Sequence, residues 1–584
     1  MSEMATPNQL NSPAAPTERE NMLLFWGCFL ALVTTAFGFI GRIFLIETWA
    51  TDFGLDPAQQ GRLLGVGIWP FAASIIGFSL IIDKVGYKLS VIFAFLGHII
   101  WAIMSVAAYI IVSGDGAGAA EKETAYSLIY WGSLILALGN GTVEAFINPV
   151  VATLFNKEKV KWLNILHAGW PGGLVLAGIL TIFMADMPWG YRVGIIAIPA
   201  FIYIAMLLPR TFPVSERVAS GVTYKEMLSE FGIMGAAIVG FLVTLQLMDF
   251  ASAGNTIPLT ETETNIYIGI GIAIVLAFGL YTRSLGRPLM LVLVLIMMPL
   301  ATTEIGTDGW ITGIMEGVVK GVGENGGDLF HPGWVLVYTS LIMMILRFFA
   351  GPIGHKFSAL GLLSLSSVFA IIGLYFLGGA TGFVLIFLTA TIYALGKTFF
   401  WPTMLGVVSE QMPKGGALTL NAISGIGMLA VGTLGFPFIG ALQADKEIQA
   451  VVASDIGVSS GVVKDGKVVT LTEKNIYEII NYQVIDDKAL EEIVTEKAAL
   501  EEISSIRGRS GQSALKNIVI FPVIMLVGYL ALMFYFKSRG GYVAVELDAD
   551  DGAKAAPDGD TAENDGGGGD YAAEDDGGGD EETG

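Results

Sequence analysis

Apolar residues gather along this chain in long windows separated by short polar joints. Windows able to cross about 30 Å of hydrocarbon fall near residues 23–50, 60–82, 89–112, 127–155, 162–185, 191–209, 230–254, 265–282, 288–318, 333–353, 359–377, 381–409, 418–443 and 515–536, which predicts fourteen membrane-spanning helices. Most contain glycines and several contain proline, as helices tolerate where neighbours re-satisfy the freed backbone groups.

The joints differ in charge. Counted from a cytoplasmic N-terminus, the inner loops and flanks collect Arg19, Lys84, Lys88, Lys157, Lys159, Lys161, Arg210, Arg217, Lys225, Arg283, Arg287, Lys356, Lys414, Lys537 and Arg539. The outer short loops hold only Arg62, Lys122, Arg192 and Lys320. Positive charge stays inside, so both termini are expected in the cytoplasm of a cell-membrane protein. The long connection between Gln443 and Leu515 then lies outside, and its charged stretch DDKALEEIVTEKAALEEISSIRGR is expected to form a small helical cap.

The pattern also repeats. GNGTVEAFINPVVATLFNKE with KWLNILHAGWPGG is echoed by GKTFFWPTMLGVVSEQMPKGGALTLNAISGIGMLAVG, so that Pro149 answers Pro402 and Leu163-Asn164 answers Leu420-Asn421. The connection SLIIDKVGYKLS is answered by RFFAGPIGHKFSALG around Arg347. Two six-helix halves with an extra pair of helices between them fit this layout, which is that of parallel-repeat transporters. The expected divisions are 1–21, a disordered N-terminus; 22–210, the first bundle; 211–287, a linker with two extra helices; 288–537, the second bundle with the outer insert 444–514; and 538–584, a disordered tail.

Composition sharpens this picture at few points. Of 584 residues, 53% are hydrophobic and 15% charged, and a mean hydropathy of +0.65 exceeds what a soluble protein hides in its core. The net charge of -21 misleads about partners, because fifteen acidic residues against one lysine lie between Val543 and Gly584, a stretch with too few apolar groups to fold. One cysteine, Cys28, excludes an internal disulfide. No Walker-type loop, no metal-ligand cluster and no basic nucleic-acid patch occurs, so neither cofactor, metal nor nucleic acid is expected, and the chain reads as no enzyme.

Ionisable groups inside apolar windows are costly and mark functional positions. Glu144 and Asn148, four apart, share a helix face, as do Asn164 and His167 in the next window. Tyr393, Lys397 and Trp401 recur at i, i+4 and i+8, a cationic and aromatic stripe suited to a sugar ring or a carboxylate. Lys397 needs a buried partner, for which Glu144 or Glu304 is available, and Asn421 answers Asn164. Arg42 and Glu47 stand five apart near the end of the first window.

The loop Asp83-Lys84-Val85-Gly86-Tyr87-Lys88 and the fourteen-window layout resemble the major facilitator superfamily over nearly all of 22–540. Glu144, Asn148-Pro149, Leu163-Asn164 with His167, Trp401 to Gly406, Gly435 to Asp445 and Thr302 to Ile311 are similar to the fucose–proton symporter branch. Ser79 stands where the loop signature has glycine, His167 where the branch has glutamine, and the first window lacks the branch's acidic residue. The resemblance implies an all-α fold of two six-helix bundles, here with two inserted helices. Together with the periodicity and the repeat it gives an expected site of Glu144, Asn148, Asn164, His167, Glu304, Tyr393, Lys397, Trp401 and Asn421, and it implies cytoplasmic latches at Asp83, Lys84, Gly86, Lys88, Arg347 and Lys356. The expected function is secondary transport of a small polar solute, foremost a monosaccharide coupled to protons, by a monomer in the bilayer. An organic-anion transporter using Lys397, Arg42 and His167, and a non-transporting membrane sensor, are the rival readings.

Overall fold

In the computed structural model the chain is described over residues 17–547, except 56, 115–116, 185, 253–258, 320–326, 355 and 477–479. Lys320, the side chain of Glu47 and most of both expected disordered termini lie outside the described residues. Thirteen helices in this range are long and apolar enough to cross a membrane, and a shorter apolar helix completes the fourteen expected windows. Taking each through its kinks, they are α1 (Glu18–Phe44), α2 (Arg62–Val85), α3 (Tyr87–Val112), α4 (Ala119–Leu154), α5 (Asn156–Phe183), α6 (Trp189–Leu207), α7 (Tyr224–Ala251), α8 (Glu261–Thr282), α9 (Pro288–Val319), α10 (Gly333–Phe348), α11 (Ala359–Leu377), α12 (Phe383–Gln411), α13 (Pro413–Val452) and α14 (Lys497–Ser538). This is a multi-pass membrane protein.

The repeat read from the sequence reappears in the packing. In the first six helices α1 touches α5 and α6, α2 touches α4, and α3 touches α4 and α6. In the last six α9 touches α13 and α14, α10 touches α12, and α11 touches α12 and α14. The halves meet through α2 against α13 and α5 against α10, two contacts that exchange under the repeat, and through α4 against α13 with α12 against α5. Helix α7 packs on α13, and α8 leans on α7 while turning Ile266, Ile272, Leu276 and Leu280 outward. The inserted pair thus lies at the rim, leaving the interface between halves to the duplicated helices.

Small residues let the helices approach, since lipid gives no hydrophobic drive between them. A Cβ built on Gly173 of α5 would stand 2.5 Å from the Val33 carbonyl oxygen and 2.6 Å from the Ala36 Cβ of α1. At the α2–α3 turn Gly86 has φ 83°, a conformation open mainly to glycine, and lets α3 start directly where α2 ends.

Two expectations need correcting. The outer insert is helical only in part: it holds two antiparallel hairpins, β1 (Val463–Lys464) with β2 (Lys467–Val468) and β3 (Leu471–Ile476) with β4 (Ile480–Ile485). The Asp465-Gly466 turn has φ 51° and 73°, the left-handed pair that a two-residue hairpin requires, and Val463, Val468, Ile485 and Leu490 share a small core with Val451 and Ile503. Second, structured chain reaches past both expected termini. Thr17 and Glu20 cap α1 reciprocally, and after α14 Gln411 Nε2 donates to the Val543 carbonyl at 2.8 Å while Tyr542 Oη donates to Glu410 at 2.8 Å.

The close approach at Gly173 predicts that Gly173→Ala lowers the melting temperature of the purified protein, equivalent to about 1–3 kcal/mol of overpacking. Gly313→Ala, whose Cβ would meet nothing within 4 Å, should not, and thermal unfolding of the two variants in detergent checks this.

Candidate functional site

Prolines set the geometry at the centre. A proline within a helix gives no N–H to the carbonyl four residues earlier. Pro149 in α4 therefore orphans the Ala145 carbonyl, Pro171 in α5 that of His167, and Pro402 in α12 that of Thr398. Side chains answer each. Asn421 of α13 donates Nδ2 to the Ala145 oxygen at 2.7 Å. Arg347 of α10 donates Nη1 to the His167 oxygen and Nε to the Thr398 oxygen, both at 2.6 Å; His167 otherwise receives only a 3.3 Å bond from the Trp170 N–H.

From Arg347 the network continues in both directions. Its Nη2 donates to Glu304 Oε1 at 2.9 Å, an ion pair with both side chains all but inaccessible. Glu304 Oε2 accepts the Trp401 backbone N–H at 3.2 Å, placing a carboxylate at the start of the second segment of α12, Phe400–Gln411, where helix-terminal N–H groups favour negative charge. In the other half, Asn148 Nδ2 donates to the Glu144 carbonyl at 3.0 Å and to Glu144 Oε2 at 2.9 Å. That orientation leaves Asn148 Oδ1 to accept from His167 Nε2 at 2.9 Å, so the imidazole carries its hydrogen on Nε2. No donor among the described residues reaches Glu144 Oε1.

These groups surround one cavity between the halves. Phe71, Glu144, His167 and Trp170 line it from the first half, and Glu304, Arg347, Trp401 and Met428 from the second. Its empty space totals about 330 Å³, drawn so narrowly between side chains that it admits water rather than a solute.

The other expected site residues lie apart from this cavity. Lys397, fully buried, pairs with Asp308, and its ammonium stands 5.3 Å from the Tyr393 ring centroid. Neither Glu144 nor Glu304 is its partner. The stripe Tyr393–Lys397–Trp401 is not one face, because α12 breaks at Thr398 and Phe399, and Trp401 alone of the three lines the cavity. Tyr393 Oη instead donates to the Thr303 carbonyl at 2.6 Å. Asn164 donates to Thr403 Oγ1 at 3.1 Å, tying α5 to α12. Arg347, expected as a cytoplasmic latch, sits in the middle of the protein because the helix carrying it is short and the orphaned carbonyls draw it inward. Asp308 was missed, although it stands one turn from Glu304 and a buried lysine demands such a carboxylate. His98 is held between Tyr203 Oη and Asn140 Oδ1 at 2.9 Å each.

At one end of the bundle the loop residues behave unequally. Asp83 accepts from Arg217 at 2.5 Å and from Ser215 Oγ at 3.3 Å, and Lys159 meets Glu216 at 2.6 Å. These pairs hold the linker helix Glu216–Ala219 against α2 and α5. Lys84 stands 4.6 Å from the Tyr224 ring centroid, while Lys88 and Lys356 are exposed and join no ion pair among the described residues.

No family model and no curated protein matches the sequence. Solved structures do match. The proton:xylose symporter XylE bound to 6-bromo-6-deoxy-D-glucose aligns with a TM-score of 0.51 at 14% identity, covering 72% of this chain and 89% of that one. An auto-inhibited POT family peptide transporter aligns with a TM-score of 0.51 at 13% identity, covering 90% of this chain and 98% of that one. The chain has the major facilitator fold. The E. coli fucose:proton symporter FucP aligns with a TM-score of 0.48 at 13% identity, over 88% of this chain and 98% of that one. At such identities the major facilitator likeness speaks for architecture, and the site rests on its own geometry.

Removing one member of a buried ion pair leaves the other charge unpaired, at a cost of about 3–5 kcal/mol. Arg347→Gln should therefore be strongly destabilised, and the Glu304→Gln/Arg347→Gln double variant should recover part of the loss. A thermal-unfolding double-mutant cycle measures the coupling; additive effects would show that the pair contributes none.

Proposed function

We propose that the protein is a secondary active transporter that moves a small polar solute across the cell membrane, both termini cytoplasmic, by alternating exposure of the cavity between its halves. What supports this is one cavity walled by Glu144 and His167 from one bundle and by Glu304, Arg347 and Trp401 from the other, at the interface where duplicated transporter bundles hold their solute. Carboxylates, an imidazole and a guanidinium beside Trp170 and Trp401 suit the hydroxyls and the flat carbon face of a monosaccharide. Arg347 and Lys397 are each neutralised by a carboxylate, which favours a neutral solute over an organic anion.

Glu144 is the coupling group in this reading. It is the cavity carboxylate that faces no ion-pair partner among the described residues, so binding a proton there removes a buried charge and leaves a hydroxyl donor for the solute. The ion pairs Asp83–Arg217 and Lys159–Glu216 are the cytoplasmic latch, holding the linker across the way out.

Counterflow in proteoliposomes should detect one or a few monosaccharides; none across a broad panel of neutral and acidic solutes would overturn the transport reading. Glu144→Gln should retain exchange but lose accumulation driven by an imposed proton gradient, and accumulation equal to the parent's would refute the coupling role.

The latch is tested separately by labelling. In a Cys28→Ser background, Thr153→Cys lies in the cavity beside Glu216 and Arg217. Adding Asp83→Asn should speed its modification by an impermeant maleimide about fivefold, the population change for a shift of about 1 kcal/mol. An unchanged rate would remove the latch.

A further inference from the structure

A second cavity lies apart from the central one. It lies within the first bundle, has an empty volume of about 390 Å³, and is lined by α1, α3, α5 and α6. Arg42 and Arg192 both face it, with Thr181 between helix ends and Phe37, Trp101 and Leu180 as apolar wall. It shares no lining residue with the central cavity.

The charges are unbalanced. Arg42 is buried and donates Nη1 to the Leu63 carbonyl and Nη2 to that of Leu64 at 3.3 Å, where α2 breaks before Trp69. These are neutral acceptors, and no carboxylate among the described residues pairs with its charge. The guanidinium of Arg192 makes no hydrogen bond or ion pair among the described residues, and its Nε is buried without a partner. Neither arginine reaches a carboxylate among the described residues. Two like charges beside one low-dielectric cavity repel each other, and each retains donors in the planar fork that grips carboxylate or phosphate in two places.

We propose that this cavity binds an amphiphilic anion, its carboxylate or phosphate held between Arg42 and Arg192 and its apolar body against Phe37, Trp101 and Leu180. The placement agrees with that ligand. Arg42 is two residues from the end of α1, Arg192 is in the first turn of α6 and Thr181 is in the last turn of α5, so the cationic end of the cavity lies at the level where spans meet headgroups and the apolar wall extends inward. The headgroup of an anionic lipid and a free fatty-acid carboxylate share this chemistry.

Thermal unfolding of the full-length protein in a neutral detergent tests it, titrating phosphatidylglycerol, phosphatidylcholine, decanoate and inorganic phosphate separately. A saturable rise with phosphatidylglycerol alone supports the site and assigns a lipid headgroup; a rise with decanoate as well assigns free carboxylates too. Arg192→Gln, which breaks no side-chain bond among the described residues, should weaken the response about tenfold, the effect of losing one charged hydrogen bond, and Arg192→Lys should restore part of it. No anion response, an equal response to phosphatidylcholine, an unchanged response in Arg192→Gln, or a response to inorganic phosphate without either amphiphile would overturn the proposal.

Discussion

A carbonyl surrounded by hydrocarbon must find a donor, and three prolines at the centre of this protein take donors away. Their orphaned oxygens on Ala145, His167 and Thr398 fix where Asn421 and Arg347 must reach. Two of the three bonds cross between the halves, from α13 to α4 and from α10 to α5, along contacts that exchange under the internal repeat. Once Arg347 is drawn to the centre, Glu304 is required beside it, and Glu304 in turn caps the second segment of α12. The proline kinks, the ion pair and the cavity are thus one construction, in which backbone satisfaction places the charges.

The charge balance follows from burial. Arg347 with Glu304 and Lys397 with Asp308 form two buried pairs on α9, α10 and α12, all in the second half. Such pairs gain little stability over apolar packing, but losing one partner is expensive, so they act as fixed polar ties. The first half contributes a different arrangement, Glu144–Asn148–His167, with one carboxylate and no cation within bonding distance among the described residues. Asymmetry between duplicated bundles gives each a separate task. The second half holds fixed ion pairs around the cavity, and in the proposed reading the first carries the group whose charge changes.

Much of this was legible in the sequence, for reasons that differ by level. Fourteen apolar windows and the Pro149–Pro402 correspondence reflect bilayer thickness and duplication, which act on whole segments and survive local variation. Glu144, Asn148 and His167 were found together because each falls on a readable helix face. The stripe Tyr393–Lys397–Trp401 failed because periodicity assumes an unbroken helix, and the break before Pro402 turned Trp401 away from Lys397. Arg347 was placed at a helix end by position along its window, whereas the donors wanted by Pro171 and Pro402 decide its direction. The signal was present, since an arginine within an apolar helix and prolines in two others can be matched by counting back four residues. The Asp465-Gly466 hairpin was equally visible, but the charged helical stretch beyond it dominated the reading of the insert.

The bonds that close the cavity also set the terms on which it could open. Separating the halves breaks Asn421 to Ala145, Asn164 to Thr403 and Arg347 to His167, costing about 1 kcal/mol for each neutral bond and about 1.5–3 for the charged one, and leaves two orphaned carbonyls bare. Water can supply donors on the side that opens, but a solute bearing several hydroxyls can supply them within the cavity, beside Glu144 and His167, while the rest of the site stays closed. In the proposed reading a polyhydroxylated neutral ligand therefore stabilises the separated arrangement through groups the protein itself loses in reaching it. An acidic ligand does so less well in that reading, because it brings a negative charge beside Glu144 and Glu304. In the proposed coupling, a proton on Glu144 would convert one acceptor into a donor without moving a helix.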